Sequence, residues 1–477
     1  MKKTKMLAAI LICTMVLSAG CSKTGNGESE TVSSQSAGQE EQTSQKTEES
    51  VSAGDISTQD AVSTEENKET KATEAKENDT TDSTQESTLS EEDIYWNEVL
   101  ESFKDSKYDL TDILTEPALK DYVSKYFTLG VGINGSTLEN QTLNVPEYMA
   151  VSKKHFNSVT MTNLMKSCYI LDQTGSIESL ATGDGSPVLN FASIDPTLSW
   201  CMENGMKMRG HTLVWHAQAP EWFFREGYKE DGEYVDKETM LFRMESYIKQ
   251  MLTHVQENFP GVIYCWDVVN EAVDPDKGDK DSFFLCRTES DSGANPWYMT
   301  IGEEYVEMAF TYARKYADKD VKLFYNDFNT YMTEKRNAII KLCESLNEKG
   351  LIDGIGMQGY WGIDYPGMTT IENTIRLFAR LGLEIQITEL SISVDEENEE
   401  ELKKQADAYG SVFIKLRMLD DAAGGPANIT NVTFFGLIDH YREGDTTNTR
   451  LLDSNYQLKP AFKKVRDIFK NAYKKKE

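Results

Sequence analysis

From Glu91 onward, short apolar runs that each close on a polar residue alternate with stretches in which apolar residues recur every three or four positions. The first pattern is that of strands enclosed on both faces, and the second that of helices laid over them. The alternation therefore predicts repeated βα units on a parallel sheet. Eight runs fit: Thr128–Asn134, Ser158–Met161, Lys207–Thr212, Ile263–Asn270, Lys322–Asn326, Gly354–Gln358, Glu384–Glu389 and Val432–Gly436, with no internal sequence repeat. Eight units predict an α/β fold closed as a (β/α)8 TIM barrel. Between Tyr305 and Ala317, residues Val306, Ala309, Phe310 and Ala313 share one helical face, as do Ile371, Ile375 and Phe378 ahead of a C′ glycine at Gly382. An open doubly wound sheet is the competing architecture, but no Gly-x-Gly-x-x-Gly turn follows the first run.

The first 90 residues break this rhythm. Lys2, Lys3 and Lys5 precede an apolar run from Met6 to Leu17 and then Ser18-Ala19-Gly20-Cys21, the order of a bacterial export signal over residues 1–21. A cysteine directly after Ala-Gly resembles a lipobox, so Cys21 is expected to be the lipidated N-terminus, with free secretion as the alternative. Residues 22–90 contain no aromatic residue and are rich in Ser, Thr, Glu and Gln. Nothing there offsets the entropy of ordering, so this segment is expected to be a disordered tether ahead of a catalytic domain at 91–477.

Charge narrows the class of partner. The chain of 477 residues carries a formal −30, and the tether supplies −11 of it. So acidic a chain is not a nucleic-acid binder. The apolar leader is too short for a membrane span, which leaves a lipid anchor as the expected membrane contact. Apart from Cys13 and Cys21, the cysteines Cys168, Cys201, Cys265, Cys286 and Cys343 lack metal-ligand spacing and read as mostly buried thiols. The five histidines show no paired spacing either, so neither a metal nor another cofactor is expected.

In a barrel of this type the active site lies where the strands end at their C-terminal edge. That rule selects Asn163 and Lys166, then His211, Trp215, His216 and Gln218, then Asn270 and Glu271, then Asn326, Gln358, Tyr360 and Glu389. Glu389 sits among apolar and β-branched neighbours, where a carboxylate is costly unless it works or is paired. Glu271 ends a second such run. Two carboxylates at the rims of separate strands fit glycoside cleavage, in which one acid protonates the leaving oxygen while the other attacks or activates water. The alternative is a buried ion pair for each.

The segments His155-Phe156-Asn157-Ser158, Arg209 to Gln218, Trp266 to Ala272, Tyr325 to Asn329, Asp353 to Gln358 and Ile387-Thr388-Glu389-Leu390 resemble, in order, those of family-ten glycoside hydrolases, the endo-β-1,4-xylanases. The resemblance spans roughly residues 95–470. It implies a retaining double displacement, with Glu271 as general acid/base and Glu389 as nucleophile. It also implies that Asn270 binds the sugar 2-hydroxyl, that Asn163, Lys166, His211, Trp215 and Gln218 grip sugars on the non-reducing side, and that Gln358 binds near the nucleophile. His216, His254 and His440 are expected to be structural.

Four positions depart from the family pattern. Thr162 stands where a Glu is usual. Tyr360 and Ser391 replace a His and an Asp beside the nucleophile, a coordinated change in which a phenol can donate to Glu389 with no carboxylate behind it. Phe435 replaces a Trp, and the loop Asp439-His440-Tyr441-Arg442-Glu443 lacks a second one, which leaves a smaller stacking face. The loop Asp274–Asn295 is long and charged and reads as an insertion, with a rim to the cleft as the alternative. The expectation is a monomeric, lipid-anchored hydrolase of internal xylan bonds at the extracellular face of the bacterial membrane. Its rivals are the same chemistry on another β-linked glycan and a slow glycan-binding surface lipoprotein.

Overall fold

The computed structural model describes residues 90–290, 293–441 and 447–470, so the expectations placed on residues 1–89, Cys21 included, lie outside the described residues. Eight parallel strands form the barrel: β1 (Thr128–Ile133), β2 (Ser158–Met161), β3 (Lys207–Trp215), β4 (Ile263–Asn270), β5 (Lys322–Asp327), β6 (Gly354–Met357), β7 (Glu384–Ser393) and β8 (Ile429–Phe434). Each pairs with its neighbours in chain order, and β8 pairs with β1, Val131 lying opposite Phe434. The sheet has no free edge, and its lumen is closed. A short strand, Tyr360–Gly362, extends the sheet beside β7.

Helices α1 (Pro146–His155), α2 (Asp195–Asn204), α3 (Lys237–Asn258), α4 (Tyr305–Tyr316), α5 (Thr333–Glu348), α6 (Met368–Ala379), α7 (Glu399–Leu419) and α8 (Pro460–Phe469) follow the strands in turn. They start where the chain supplies caps, such as Asp236 accepting from the Thr239 amide, or proline in the first turn of α1, α2 and α8. Val306, Ala309, Phe310 and Ala313 of α4 are all buried, as are Ile371, Ile375 and Phe378 of α6. Gly382 adopts the left-handed conformation but lies one place beyond the expected C′ position, because α6 caps at Arg380.

Three boundaries differ from the sequence reading by three residues or more. Strands β3 and β7 run on to Trp215 and Ser393, because Leu213, Val214, Leu390 and Ile392 continue the buried run past the first polar residue. Strand β8 begins at Ile429 rather than Val432, since its polar residues face the lumen: Asn431 Nδ2 donates to Thr128 Oγ1 (2.9 Å) and its Oδ1 accepts from Thr433 Oγ1 (2.7 Å). Cys201, Cys265, Cys286 and Cys343 are buried free thiols. Cys168 is half-buried and so is not one of them.

Candidate active site

The lumen floor is an ion pair cut off from water. Arg209 Nε donates to Asp267 Oδ2 (3.1 Å), Nη2 pairs with Oδ1, and Nη1 donates to Gln386 Oε1 (2.6 Å). Burial is tolerable there because the donors and acceptors are engaged. Burial pushes the Asp267 carboxyl up, but Arg209 and His211 outweigh it and hold the group below its usual range. Asp267 Oδ2 also meets His211 Nδ1 (2.9 Å), which fixes the imidazole at the barrel mouth.

Above this floor, one amide chain joins the two carboxylates. Asn326 Nδ2 donates to Glu389 Oε1 (3.1 Å) and to Asn270 Oδ1 (2.9 Å). Gln358 Nε2 donates to the same Asn270 oxygen (3.3 Å) and to Glu271 Oε1 (2.8 Å). Glu271 Oε2 accepts from Trp215 Nε1 (3.0 Å), and Thr388 Oγ1 holds Asn326 Oδ1 (2.7 Å). Gly356 makes room for this network, since a Cβ there would stand 2.3 Å from Asn326 Oδ1. Glu389 is buried, and burial raises its carboxyl above the usual range; the His211 ring and the Tyr360 hydroxyl pull it back, while the Glu271 charge pushes it further up.

The backbone at Glu271 is left-handed, φ +58°, an uncommon state for a residue with a side chain. It is held from both sides: its N–H donates to the Asn326 carbonyl (2.9 Å) and its carbonyl accepts from Arg287 Nε (2.9 Å). Arg287 Nη1 pairs with Asp274 Oδ2 (2.7 Å), while Nη2 is buried without a partner. Such over-determination is what lets a strained residue persist at a working site. The segment from Asp274 to Asn295, expected as an insertion, is thus tied to the back of the cleft, and Trp297 just beyond it donates to the Trp215 carbonyl (3.0 Å).

Lys166 lies 4.4 Å above the Trp215 ring and donates to Gln218 Oε1 (2.8 Å) and Asn163 Oδ1 (3.3 Å). Burial lowers its ammonium to about 8, against the pull of Glu389 and Glu271. Gln218, also left-handed at φ +49°, keeps its Nε2 buried without a partner, a donor available to a ligand. On the opposite wall the Tyr360 hydroxyl donates to Glu389 Oε2, and the Phe435 ring stands edge-on to Tyr360 at 5.7 Å. Thr162 Oγ1 turns inward to the Ile133 carbonyl (3.2 Å) and Asn134 Oδ1 (3.1 Å). His254 stacks on Phe191 at 3.6 Å and meets Asp195 (2.8 Å), away from the cleft, and no cluster of three metal-ligating side chains occurs among the described residues.

Residues 118–468 match the model of glycosyl hydrolase family 10. The chain belongs to that family. Among family-10 relatives, it is 46% identical over 309 residues to a putative endo-1,4-beta-xylanase of Caldicellulosiruptor saccharolyticus, covering 62% of this chain and 95% of that one. It is 36% identical over 360 residues to endo-1,4-beta-xylanase Y of Acetivibrio thermocellus, spanning 73% of this chain but only 32% of that longer protein. Among solved structures, the Clostridium thermocellum xylanase 10B CBM22-1–GH10 modules complexed with xylohexaose superpose with TM-score 0.67 at 34% identity, over 74% of this chain and 67% of that one. Hydrogen bonds and ring contacts join the strand-end positions Asn163, Lys166, Trp215, Gln218, Asn270, Glu271, Asn326, Gln358, Tyr360 and Glu389, whereas His216 stands edge-on to Trp215 with its Nδ1 unpaired. Three contributors gave no sequence signal of their role: Asp267 inside β4, Arg287 in a loop, and Arg450, whose Nη1 donates to Ser391 Oγ (2.9 Å).

Proposed function

We propose that this family-10 glycoside hydrolase cleaves internal β-1,4-xylosidic bonds of xylan by double displacement. Glu389 attacks the anomeric carbon while Glu271 protonates the departing oxygen; Glu271 then deprotonates the water that releases the glycosyl-enzyme ester. The observation that carries this reading is the hydrogen-bonded chain from Glu271 through Gln358, Asn270 and Asn326 to Glu389, which supports two carboxylates facing one cleft. Asn270 spends its carbonyl on that chain, so its Nδ2 is left to meet a sugar hydroxyl. Lys166, Trp215, Gln218, Asn163 and His211 serve the sugars on the non-reducing side. Gln358, Tyr360 and Phe435 bind beside the nucleophile.

Reducing-end release by the purified protein from arabinoxylan, cellulose and mannan tests this reading. Product on xylan that disappears in Glu389→Gln supports it. Product only on another polymer favours a second reading, the same chemistry on a different β-glycan, which the inward turn of Thr162 encourages because it removes a polar group from the wall. Binding without product would leave a glycan-binding lipoprotein.

The leader and Cys21 support a lipid-anchored chain at the extracellular face of the bacterial membrane, held by residues 22–90 and acting as a monomer. Metabolic incorporation of palmitate that is lost in Cys21→Ala tests the anchor. No helix among the described residues is long and apolar enough to cross a membrane.

A further inference from the structure

Strand β7 carries Glu389 and Ser391 two residues apart, so their side chains leave the same face of the sheet at the barrel mouth. Ser391 lies opposite Tyr360 in the pairing with the short strand, and Tyr360 reaches the nucleophile. The Arg450 guanidinium rests on this pair. Its Nη1 donates to Ser391 Oγ (2.9 Å) and Thr449 Oγ1 (2.6 Å), and its backbone N–H donates to Asp439 Oδ1 (2.8 Å). It stands over Gly436, where a Cβ would lie 2.4 Å from Nε and 3.1 Å from Nη2, so only glycine admits it there.

What the guanidinium lacks is a direct ion pair, although it lies near enough to Asp439 to favour that carboxylate's charged form. Among the described residues no carboxylate lies within ion-pair distance of it; Asp439 Oδ2 is taken by Lys459, and neither Nε nor Nη2 donates to any group. The residue is half-buried. A fixed guanidinium with two adjacent free donors matches a planar carboxylate in geometry and sign. In a chain of net charge −30, a cation without a direct ion pair, bonded to Ser391 two residues along the strand from Glu389, is placed to meet an anion.

We propose that Arg450 recognises a uronic-acid side group on the β-glycan, through Nε and Nη2, and so directs cleavage toward acidic substrate. This specificity role rests on the β-glycan-hydrolase reading above. The carboxylate belongs to the substrate, not to a free anion in solution.

The test compares kcat/KM of the full chain on glucuronoxylan and on the same polymer after its carboxyls have been reduced to alcohols, with linear xylohexaose as a control for the reaction itself. The wild type should favour the acidic polymer by about threefold to fivefold, the scale of a partly exposed ion pair. Arg450→Gln should bring that ratio to about one, Arg450→Lys should keep part of it, and salt near ~1 M should erode it in the wild type. The salt series needs no variant and decides the matter even if Arg450→Gln misfolds. A wild-type ratio of one, a ratio that salt leaves unchanged, or a ratio that survives in folded Arg450→Gln overturns the proposal. Loss of xylohexaose cleavage in the wild type would instead overturn the xylanase reading. Equal inhibition of both polymers by free glucuronate, with no ratio between them, would assign the site to a soluble anion and also sink the proposal.

Discussion

Arg287 Nε donates to the backbone carbonyl of Glu271 (2.9 Å), bracing from behind the one cleft carboxylate whose backbone is left-handed. Loosening that brace should misplace the acid without touching the nucleophile. Arg287→Gln is expected to lower kcat/KM on xylo-oligosaccharides by about tenfold to a hundredfold, in line with the cost of misplacing a reacting group. On aryl glycosides with a strongly acidic phenol as leaving group, which need no proton, the first step should lose far less. Equal losses on both substrate types, measured by steady-state and burst kinetics, would mean that Arg287 only supports the fold.

The Tyr360 hydroxyl donates to Glu389 Oε2 and favours its charged form against burial. Tyr360→Phe removes one donor, on the order of 1–2 kcal/mol, and should lower turnover by about tenfold. The acid limb of kcat/KM should move to higher pH, because the carboxylate loses a group that stabilised its ionised state. A pH–rate profile superposable on that of the wild type would refute this role.

Lys166, lowered to about 8 by burial, should lose its charge within the alkaline working range. Above about pH 8 the contacts to Gln218 and Asn163 weaken, so KM should rise more steeply than kcat falls. In Lys166→Met that limb should vanish and affinity should be poor at every pH. Initial rates across a substrate series between neutral and mildly alkaline pH check both statements.

Glu389 links stability to pH. Its folded carboxyl is raised above the unfolded value, so its contribution is fully present below the ordinary glutamate range and is lost as pH rises through the folded value. Glu389→Gln cannot ionise and escapes that loss. The Tm difference between variant and wild type should therefore grow in the variant's favour from acidic to neutral pH; a constant difference, by calorimetry, would argue against it.

The barrel could be read from the chain because its strands are enclosed on both faces, and enclosure leaves runs rich in apolar residues that stop at a polar residue such as Asn270. Strand β8 starts ahead of its apolar run for the converse reason: Thr430 and Asn431 interrupt the run, and their partners, Gln386 and Thr128, lie far away in sequence. Arg287 and Arg450 carry no local signature at all. They act across 16 and 59 residues on Glu271 and Ser391, and only the closed fold brings them there.

Glu271 directly follows β4 and Glu389 lies within β7, both braced by amides from β4, β5 and the end of β6, whereas Phe435 and Arg450 hang from the segments that follow β8. Bond cleavage is therefore mounted on the rigid frame and the choice of glycan on its fringe. Exchanging that fringe offers a way to retune diet without rebuilding the machine.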